Sequence, residues 1–289
     1  MEWFIFALAG SFLWSIALVL EKKVLSIEHS MEYSITRLFF MAIFVLFLLP
    51  FMELYISGFS LLLIYLASML ATFGIIYRVK AIRHLDISIV APFLNFDPMI
   101  VLLLSFLFLG ETITRTQFMG ILIIVLGAYI LEANGNVKNI LEPIRKIFRS
   151  KYIHYIFFAM FFFSIEAVLN KNILTNHTNP LLFVFYFYIF VFFNFLLISF
   201  FKYDGIKQIK RGLRHAGNWV FTVSLIMVVS GLLLVTAVSL GKVSLVISIK
   251  RMGTVFTTIL GGGLFHDKHM KVRIICSLIM FAGAYLILM

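Results

Sequence analysis

Charged residues are scarce in this chain of 289 residues, because Asp, Glu, Lys and Arg together make up only 13% of it. Soluble domains carry about a quarter charged residues, so this composition excludes a soluble globular or a disordered protein. Cys276 is the single cysteine, which excludes an intrachain disulfide framework. Proline occurs 5 times and glycine 17 times, far too rarely for a fibrous, collagen-like chain.

Apolar residues, in contrast, make up 62% of the chain and include 34 phenylalanines. A bilayer-spanning helix needs about 20 mostly apolar residues, and polar clusters divide this chain into ten such runs. The predicted spans are 3–20, 33–52, 60–77, 87–109, 116–131, 152–169, 180–201, 219–240, 243–265 and 272–289. We therefore expect an all-α, multi-pass membrane protein with ten transmembrane helices.

An internal repeat connects the two halves of the chain. Residues 15–25 and 164–174 are identical at six of eleven positions, and Gly127-Ala128-Tyr129 matches Gly283-Ala284-Tyr285. The predicted units are a first five-helix repeat at 1–131, a basic linker at 132–151 and a second five-helix repeat at 152–289. Because each unit has an odd number of spans, the second must enter the membrane in the opposite orientation. This inverted repeat is a recurring design of secondary transporters.

The distribution of Lys and Arg predicts the orientation of the chain. Loops after odd-numbered spans hold 17 of these residues, whereas loops after even-numbered spans hold 3. The positive-inside rule then places the odd loops in the cytoplasm and both termini outside. The net charge of +11 is explained by topology and by anionic lipid headgroups, so no nucleic-acid partner is expected. We predict an integral protein of the cell (plasma) membrane.

A few ionisable residues lie well inside the predicted spans, namely Arg37, Asp97, Glu166, Lys250 and Arg251. Each would cost at least about 2.5 kcal/mol if it faced lipid, so we expect them to face the bundle interior. Static internal pairing, for example of Asp97 with Arg37, is one explanation. However, three cations and two anions leave one cation unbalanced, and this surplus favours a binding site for an anionic group.

Spans 4 and 9 are expected to supply this site. At the repeat offset, Leu94 and Asn95 correspond to Lys250 and Arg251, so Asn95 joins the candidate substrate-binding residues. Arg251 is the first choice for the unpaired cation, because its guanidinium stays charged when buried and can grip a phosphate or carboxylate with two donors. Pro98 lacks an amide donor and should kink span 4 next to Asp97.

Lys22 and Lys171 end spans 1 and 6 at equivalent places. Either lysine could extend to lipid headgroups or form a gate at one mouth of a central cavity. No paired catalytic carboxylates, nucleophilic triad, metal-ligand spacing or cofactor motif stands out, so we expect neither an enzyme nor a bound metal or cofactor.

The same residues resemble the signature of the EamA family of the drug/metabolite transporter superfamily. The matching motifs are Ala91-Pro92, Asp97-Pro98, Leu109-Gly110-Glu111, Gly120 and Gly127, followed in the second half by 246–251 and Gly283-Ala284-Tyr285. The resemblance implies ten helices in inverted repeats, a central cavity and alternating access. It also implies a phosphate-binding role for Lys250-Arg251, which are similar in type and place to a pair in plastid phosphate translocators. Many relatives have cytoplasmic termini, the reverse of the orientation predicted here.

The leading hypothesis is a secondary-active transporter of a small anionic or zwitterionic metabolite. No ATP-binding loop is present, so a gradient or an exchanged counter-substrate must supply the energy, and Asp97 or Glu166 could carry a coupling proton. Two alternatives stay open: a flippase for a lipid-linked phosphate or sugar-phosphate, and a membrane subunit that transports nothing. The sequence does not distinguish oligomeric states.

Overall fold

The computed structural model describes residues 1–25, 30–84, 93–132, 150, 152–202, 205–265 and 270–289. These residues form eleven α-helices, one short 3₁₀ turn at Leu49–Phe51 and no strand. In chain order the helices are α1 Glu2–Leu25, α2 Ser30–Leu46, α3 Gly58–His84, α4 Asp97–Leu109, α5 Arg115–Glu132, α6 Ile153–Asn176, α7 Pro180–Lys202, α8 Ile206–Leu240, α9 Val243–Lys250, α10 Gly253–Phe265 and α11 Met270–Leu288.

Length and hydropathy identify membrane-spanning segments among these helices. In the described part of the chain, five are long and apolar enough to cross a bilayer: Glu2–Glu21, Gly58–Arg78, Ile153–Asn176, Pro180–Phe201 and Gly217–Leu240. Shorter apolar helices cover Asp97–Leu109, Arg115–Leu131 and Ile274–Leu288. A helix satisfies its own backbone hydrogen bonds, which an apolar medium requires. The chain is thus an integral multi-pass membrane protein, and the count of ten spans stays a prediction.

Several helices differ in extent from the predicted spans. The segment 202–218 was expected to be a loop, but α8 begins at Ile206 and continues without interruption into the membrane. Likewise, α3 continues beyond the predicted end at 77 to His84, because no glycine or proline occurs between these positions. Conversely, α2 ends at Leu46, before the 3₁₀ turn that contains Pro50.

Helix packing between the two halves follows a paired pattern. Helix α1 packs along α8, and its counterpart α6 packs along α3. Helix α2 contacts α8, and its counterpart α7 contacts α3. Helix α4 contacts α6, and its counterparts α9 and α10 contact α1. Three further contacts, α5 with α11, α2 with α7 and α4 with α9, join equivalent helices to each other. Equivalent helices of the two halves therefore make equivalent contacts.

The contact between α5 and α11 depends on glycine. A Cβ atom on Gly120 would lie 2.6 Å from the carbonyl oxygen of Gly283, and a Cβ on Gly283 would lie 2.9 Å from the carbonyl oxygen of Gly120. The two backbones can approach this closely only because neither residue has a side chain. Small residues at such crossings are typical of packed membrane helices.

Candidate functional site

A cavity of about 300 Å³ lies between the two halves of the bundle. Its wall includes five of the six predicted substrate-binding residues: Arg37, Asp97, Glu166, Lys250 and Arg251. The sixth, Asn95, is 2% exposed and lies behind the wall, where its side-chain oxygen accepts a hydrogen bond from Arg251. The structure therefore brings all six predicted residues to one place.

Two helix interruptions lie beside this cavity, at equivalent positions of the two halves. The first is the turn Asn95–Phe96 before α4, and the second is the turn Arg251–Met252 between α9 and α10. Both turns use the same backbone hydrogen bonds between residues three positions apart. In the first turn, Phe96 N–H donates to Phe93 O (3.0 Å) and Met99 N–H donates to Phe96 O (3.1 Å). In the second turn, the equivalent bonds run from Met252 N–H to Ile249 O (2.9 Å) and from Val255 N–H to Met252 O (3.0 Å).

The interruption predicted at Asp97-Pro98 is confirmed, because α4 begins at Asp97 with the proline in its first turn. A proline there costs nothing, since the first amides of a helix have no partner within the helix. The interruption of span 9 was not expected. That span was predicted to run through 243–265, yet it divides into α9 and α10 around Arg251 without any proline.

Arg251 joins the two interruptions. Its Nε donates to Asp97 Oδ1 at 2.8 Å, and its Nη2 donates to the second carboxylate oxygen, so the pair is bidentate. Nη1 also donates to Asn95 Oδ1 at 3.4 Å, and Asn95 in turn donates to the carbonyl of Ala128 at 3.4 Å. A charged residue of the second half is thereby bound to a polar pair of the first half.

This pairing corrects two expectations. Arg251 was the first choice for the unpaired cation, but its guanidinium is bound to Asp97. Asp97 was considered as a partner of Arg37, but Arg37 lies beside Glu21, with Nη1 3.5 Å from the Glu21 carboxylate. The physical reason is that a bidentate contact needs the guanidinium plane to face both oxygens, and the paired helix turns give Arg251 that position.

Arg37 is deeply buried, at 6% exposure, yet it is not fully satisfied. Besides the contact with Glu21, its guanidinium lies 5.4 Å from the ring centroid of Tyr33, and Nη1 lies 3.4 Å from the sulfur of Met227. Its Nε has no hydrogen-bond partner among the described residues. Arg37 therefore retains a donor beside the cavity.

Lys250 takes the place that was expected for Arg251. Its ammonium lies 5.1 Å from the ring centroid of Trp14, a distance at which a cation is attracted to the face of an aromatic ring. Within the described part of the chain, no carboxylate lies at ion-pair distance from Lys250. In the part of the chain that the structure describes, Lys250 is therefore a cavity cation without an acidic partner.

Glu166 faces the same cavity from α6. Its Oε1 accepts a short hydrogen bond from Asn170, one helical turn further along α6. No described Lys or Arg side chain lies within ion-pair distance of this carboxylate. Asp97 and Glu166 thus differ, since one is bound by an arginine and the other by a neutral amide.

Two charged residues of the site were missed by the sequence analysis. Arg78 was counted as a loop cation after span 3, but α3 continues past it and the residue lines the cavity, where its Nε is buried without a described partner. Glu21 follows the predicted end of span 1 at residue 20 and was not considered as a site residue. The absence of glycine and proline after both residues could have revealed that their helices continue.

The two gate candidates have different outcomes. Lys171 is absent from the cavity wall and instead donates to the carbonyls of Val238 (2.9 Å) and Ser239 (3.2 Å) at the end of α8. It therefore joins α6 to the last turn of α8, where carbonyls lack partners within the helix. A gating role for Lys171 stays a prediction. The side chain of Lys22 lies outside the described residues.

The charges at the cavity do not balance. Among the described residues, four cations line the cavity, namely Arg37, Arg78, Lys250 and Arg251, but only two carboxylates, Asp97 and Glu166. With Glu21, which lies beside Arg37 but outside the wall, the cations still outnumber the carboxylates by four to three. The rest of the wall is mostly apolar and includes the rings of Trp14, Phe163, Phe183, Phe187 and Tyr188. Such a site is suited to bind one negatively charged group together with an apolar or aromatic body.

Comparison with known proteins agrees with this architecture. The sequence profile of the EamA-like transporter family matches residues 1–132 and 150–289. A crystal structure of another protein aligns with a TM-score of 0.74 at 12% sequence identity, covering 98% of this chain and 95% of that one. This similarity shows a shared fold alone. No curated protein matches the sequence significantly. Because the family profile covers both halves, the chain belongs to the EamA-like transporter family.

Proposed function

We propose that this protein is a secondary-active transporter that carries a small anionic or zwitterionic metabolite through the cavity between its two repeats. The observation that carries the proposal is that Lys250 faces the cavity without an acidic partner among the described residues. A buried cation of this kind attracts an anion strongly, because a low local dielectric magnifies the interaction.

The two neighbouring cations have different roles in this proposal. Lys250 makes the direct contact with the anionic group, and Trp14 holds its ammonium in place until the ligand arrives. Arg251 acts as a positioning residue, since its bidentate contact with Asp97 keeps the turn between α9 and α10 in register with the turn before α4. The guanidinium groups of Arg37 and Arg78, which also line the cavity, supply a second contact.

The cavity volume limits the size of the ligand. A volume of about 300 Å³ lies at the lower end of the range for small-molecule sites. This volume favours a small metabolite over a lipid-linked sugar. The aromatic side chains of Phe163 and Phe187 favour a ligand whose uncharged part is apolar.

Alternating access would follow from the paired architecture. In an inverted repeat, the two halves can exchange conformations, so that a cavity open to one side becomes open to the other. The paired packing of α1 with α8 and of α6 with α3 supports this exchange. We place both termini outside the plasma membrane, in line with the excess of Lys and Arg in the odd-numbered loops.

Glu166 is the better candidate for a coupling proton. Both carboxylate oxygens of Asp97 accept hydrogen bonds from Arg251, whereas among the described residues Glu166 has only the amide of Asn170 as a partner. An ionisable residue inside the membrane that lacks an opposite charge is characteristic of proton relays. Exchange against a second metabolite is the alternative source of energy.

A thermal-shift screen of the purified protein against metabolites tests the proposal, because a ligand that favours the native state raises the melting temperature. Anionic compounds should give the largest increases, and uptake into proteoliposomes should follow for the same compounds. Lys250→Gln should abolish the increase while leaving the melting temperature without ligand nearly unchanged. The matched control is Arg115→Gln, which removes an exposed cation far from the cavity. A ligand that stabilises both variants equally would contradict the proposal.

A further inference from the structure

The first turns of α8 carry a stripe of exposed cations. The exposed cations are Lys207, Lys210, Arg211 and Arg214, and the buried residues between them are Gln208, Ile209 and Gly212. Leu213 is also exposed and lies at the edge of this stripe. With about 100° between successive residues of a helix, the four cations lie within an arc of roughly 100° and the buried residues lie on the opposite side. The segment 206–214, which we call the basic segment, is therefore amphipathic, with a charged rather than an apolar outer face.

The inner face of the basic segment is tightly held. Ser199 of α7 donates to the side-chain oxygen of Gln208 at 3.1 Å. A Cβ on Gly212 would collide with Thr36 of α2, so the two helices lie in close contact. Arg211 forms an ion pair with Glu32 at 3.4 Å. These contacts fix the rotation of the helix and keep Lys207, Lys210 and Arg214 on the outside.

The depth of the basic segment in the membrane follows from the continuity of α8. The helix runs without a break from Ile206 into the span Gly217–Leu240. At 1.5 Å per residue, Arg214 precedes the start of that span by roughly 5 Å and Lys207 by roughly 15 Å along the axis. The headgroup layer lies just beyond a hydrocarbon core of about 30 Å. Arg214 therefore lies at headgroup level, whereas Lys210 and Lys207 precede the span by roughly 10 Å and 15 Å, close enough for the surface potential of an anionic membrane to act on them.

We propose that the basic segment binds the headgroups of anionic phospholipids. Lys207, Lys210 and Arg214 present three positive charges on one rigid face beside the membrane surface, where anionic headgroups carry the complementary charge. Among the described residues, Glu32 is the carboxylate bound to the stripe, and it is already engaged by Arg211. Asp204, which precedes the helix, lies outside the described residues. The proposal is independent of the transported ligand.

Lipid retention by the purified protein tests this proposal. The probes are phosphatidylglycerol and phosphatidylcholine, and the readout is the number of each lipid retained in native mass spectrometry from equimolar mixtures. The native protein should prefer phosphatidylglycerol, and this preference should fall with added salt. Each cation removed should lower the preference about fivefold, so the triple variant Lys207→Gln/Lys210→Gln/Arg214→Gln should lose about a hundredfold. The single variant Lys210→Gln keeps the test available if the triple variant does not fold.

Two controls make the result decisive. Arg115→Gln removes one exposed cation at the start of α5 and should leave the preference unchanged. Inorganic phosphate, added at the concentration of the lipid, should not displace phosphatidylglycerol, because it lacks the acyl chains that hold a headgroup at this depth. The proposal is wrong if Lys210→Gln and the triple variant both keep the preference for phosphatidylglycerol. It is also wrong if Arg115→Gln weakens this preference as much as Lys210→Gln does, or if inorganic phosphate displaces phosphatidylglycerol completely.

Discussion

The turn at Asn95–Phe96 and the turn at Arg251–Met252 have the same backbone and opposite chemistry. Both interrupt a helix beside the cavity, and both use hydrogen bonds between residues three positions apart. The first turn is followed by the acidic Asp97, whereas the second contains Arg251 and follows Lys250. A repeated backbone thus supplies two equivalent turns. Divergence of the side chains has placed an acid beside the first turn, where the second has Gly253, and a base in the second turn, where the first has Asn95.

The starts of the two halves differ in a similar way. In the repeat, Ala17 corresponds to Glu166 and Glu21 corresponds to Asn170. Glu21 accepts a contact from Arg37 in the first half, while Asn170 donates to Glu166 in the second. The repeat therefore preserves helix positions and packing, but it does not preserve charge. The functional asymmetry of the site comes from this difference.

The largest effect on stability is expected from removing the carboxylate of Asp97, which joins the two turns through its contact with Arg251. Asp97→Ala leaves the guanidinium of Arg251 without its carboxylate, which should lower the free energy of unfolding by about 3 kcal/mol. The double exchange Asp97→Arg/Arg251→Asp should recover part of this loss, because the opposite charges again face each other. Unfolding in detergent titrations measures both. If Asp97→Ala unfolds like the native protein, the pair does not hold the turns together.

A smaller effect, on the affinity for an anion, should follow from moving the positive charge of Lys250 to the equivalent position in the first half. Lys250→Leu should weaken anion binding at least about tenfold, equivalent to about 1.4 kcal/mol. Leu94 is the equivalent residue and also lines the cavity, so adding Leu94→Lys should restore part of the affinity. Titration of a ligand from the thermal-shift screen measures this. No recovery in a folded double variant would mean that the two positions are not equivalent for the ligand.

The smallest effect on stability is expected at Glu166. Glu166→Gln keeps a hydrogen-bond acceptor for Asn170 and removes the proton-binding group, so the melting temperature should change little. Uptake into proteoliposomes should lose its response to an imposed pH gradient, whereas exchange of internal for external ligand should continue. Asp97→Asn is the control variant. If Asp97→Asn loses the response to the pH gradient and Glu166→Gln keeps it, Asp97 rather than Glu166 carries the coupling proton.

Much of the fold was accessible from the sequence because membrane insertion depends on local composition. Runs of apolar residues predict helices, and the internal matches predict two similar halves. Helix ends were predicted less well. Basic residues after an apolar run were read as loops, yet α3 and the start of α8 continue through them. Helix propensity, rather than hydropathy, sets those ends, and charged residues are good helix formers.

The residues that form the site were also predictable, because placing an ionisable side chain inside a membrane costs free energy unless its surroundings are polar. Arg37, Asp97, Glu166, Lys250 and Arg251 follow from that cost alone. The pairing among them did not follow. Whether Arg251 or Lys250 stays free depends on which side chain points towards Asp97, and this direction is set by the turn at Arg251–Met252, which no proline marks in the sequence. Composition and charge cost are local properties of the chain, whereas the partner of each charge depends on contacts between distant helices.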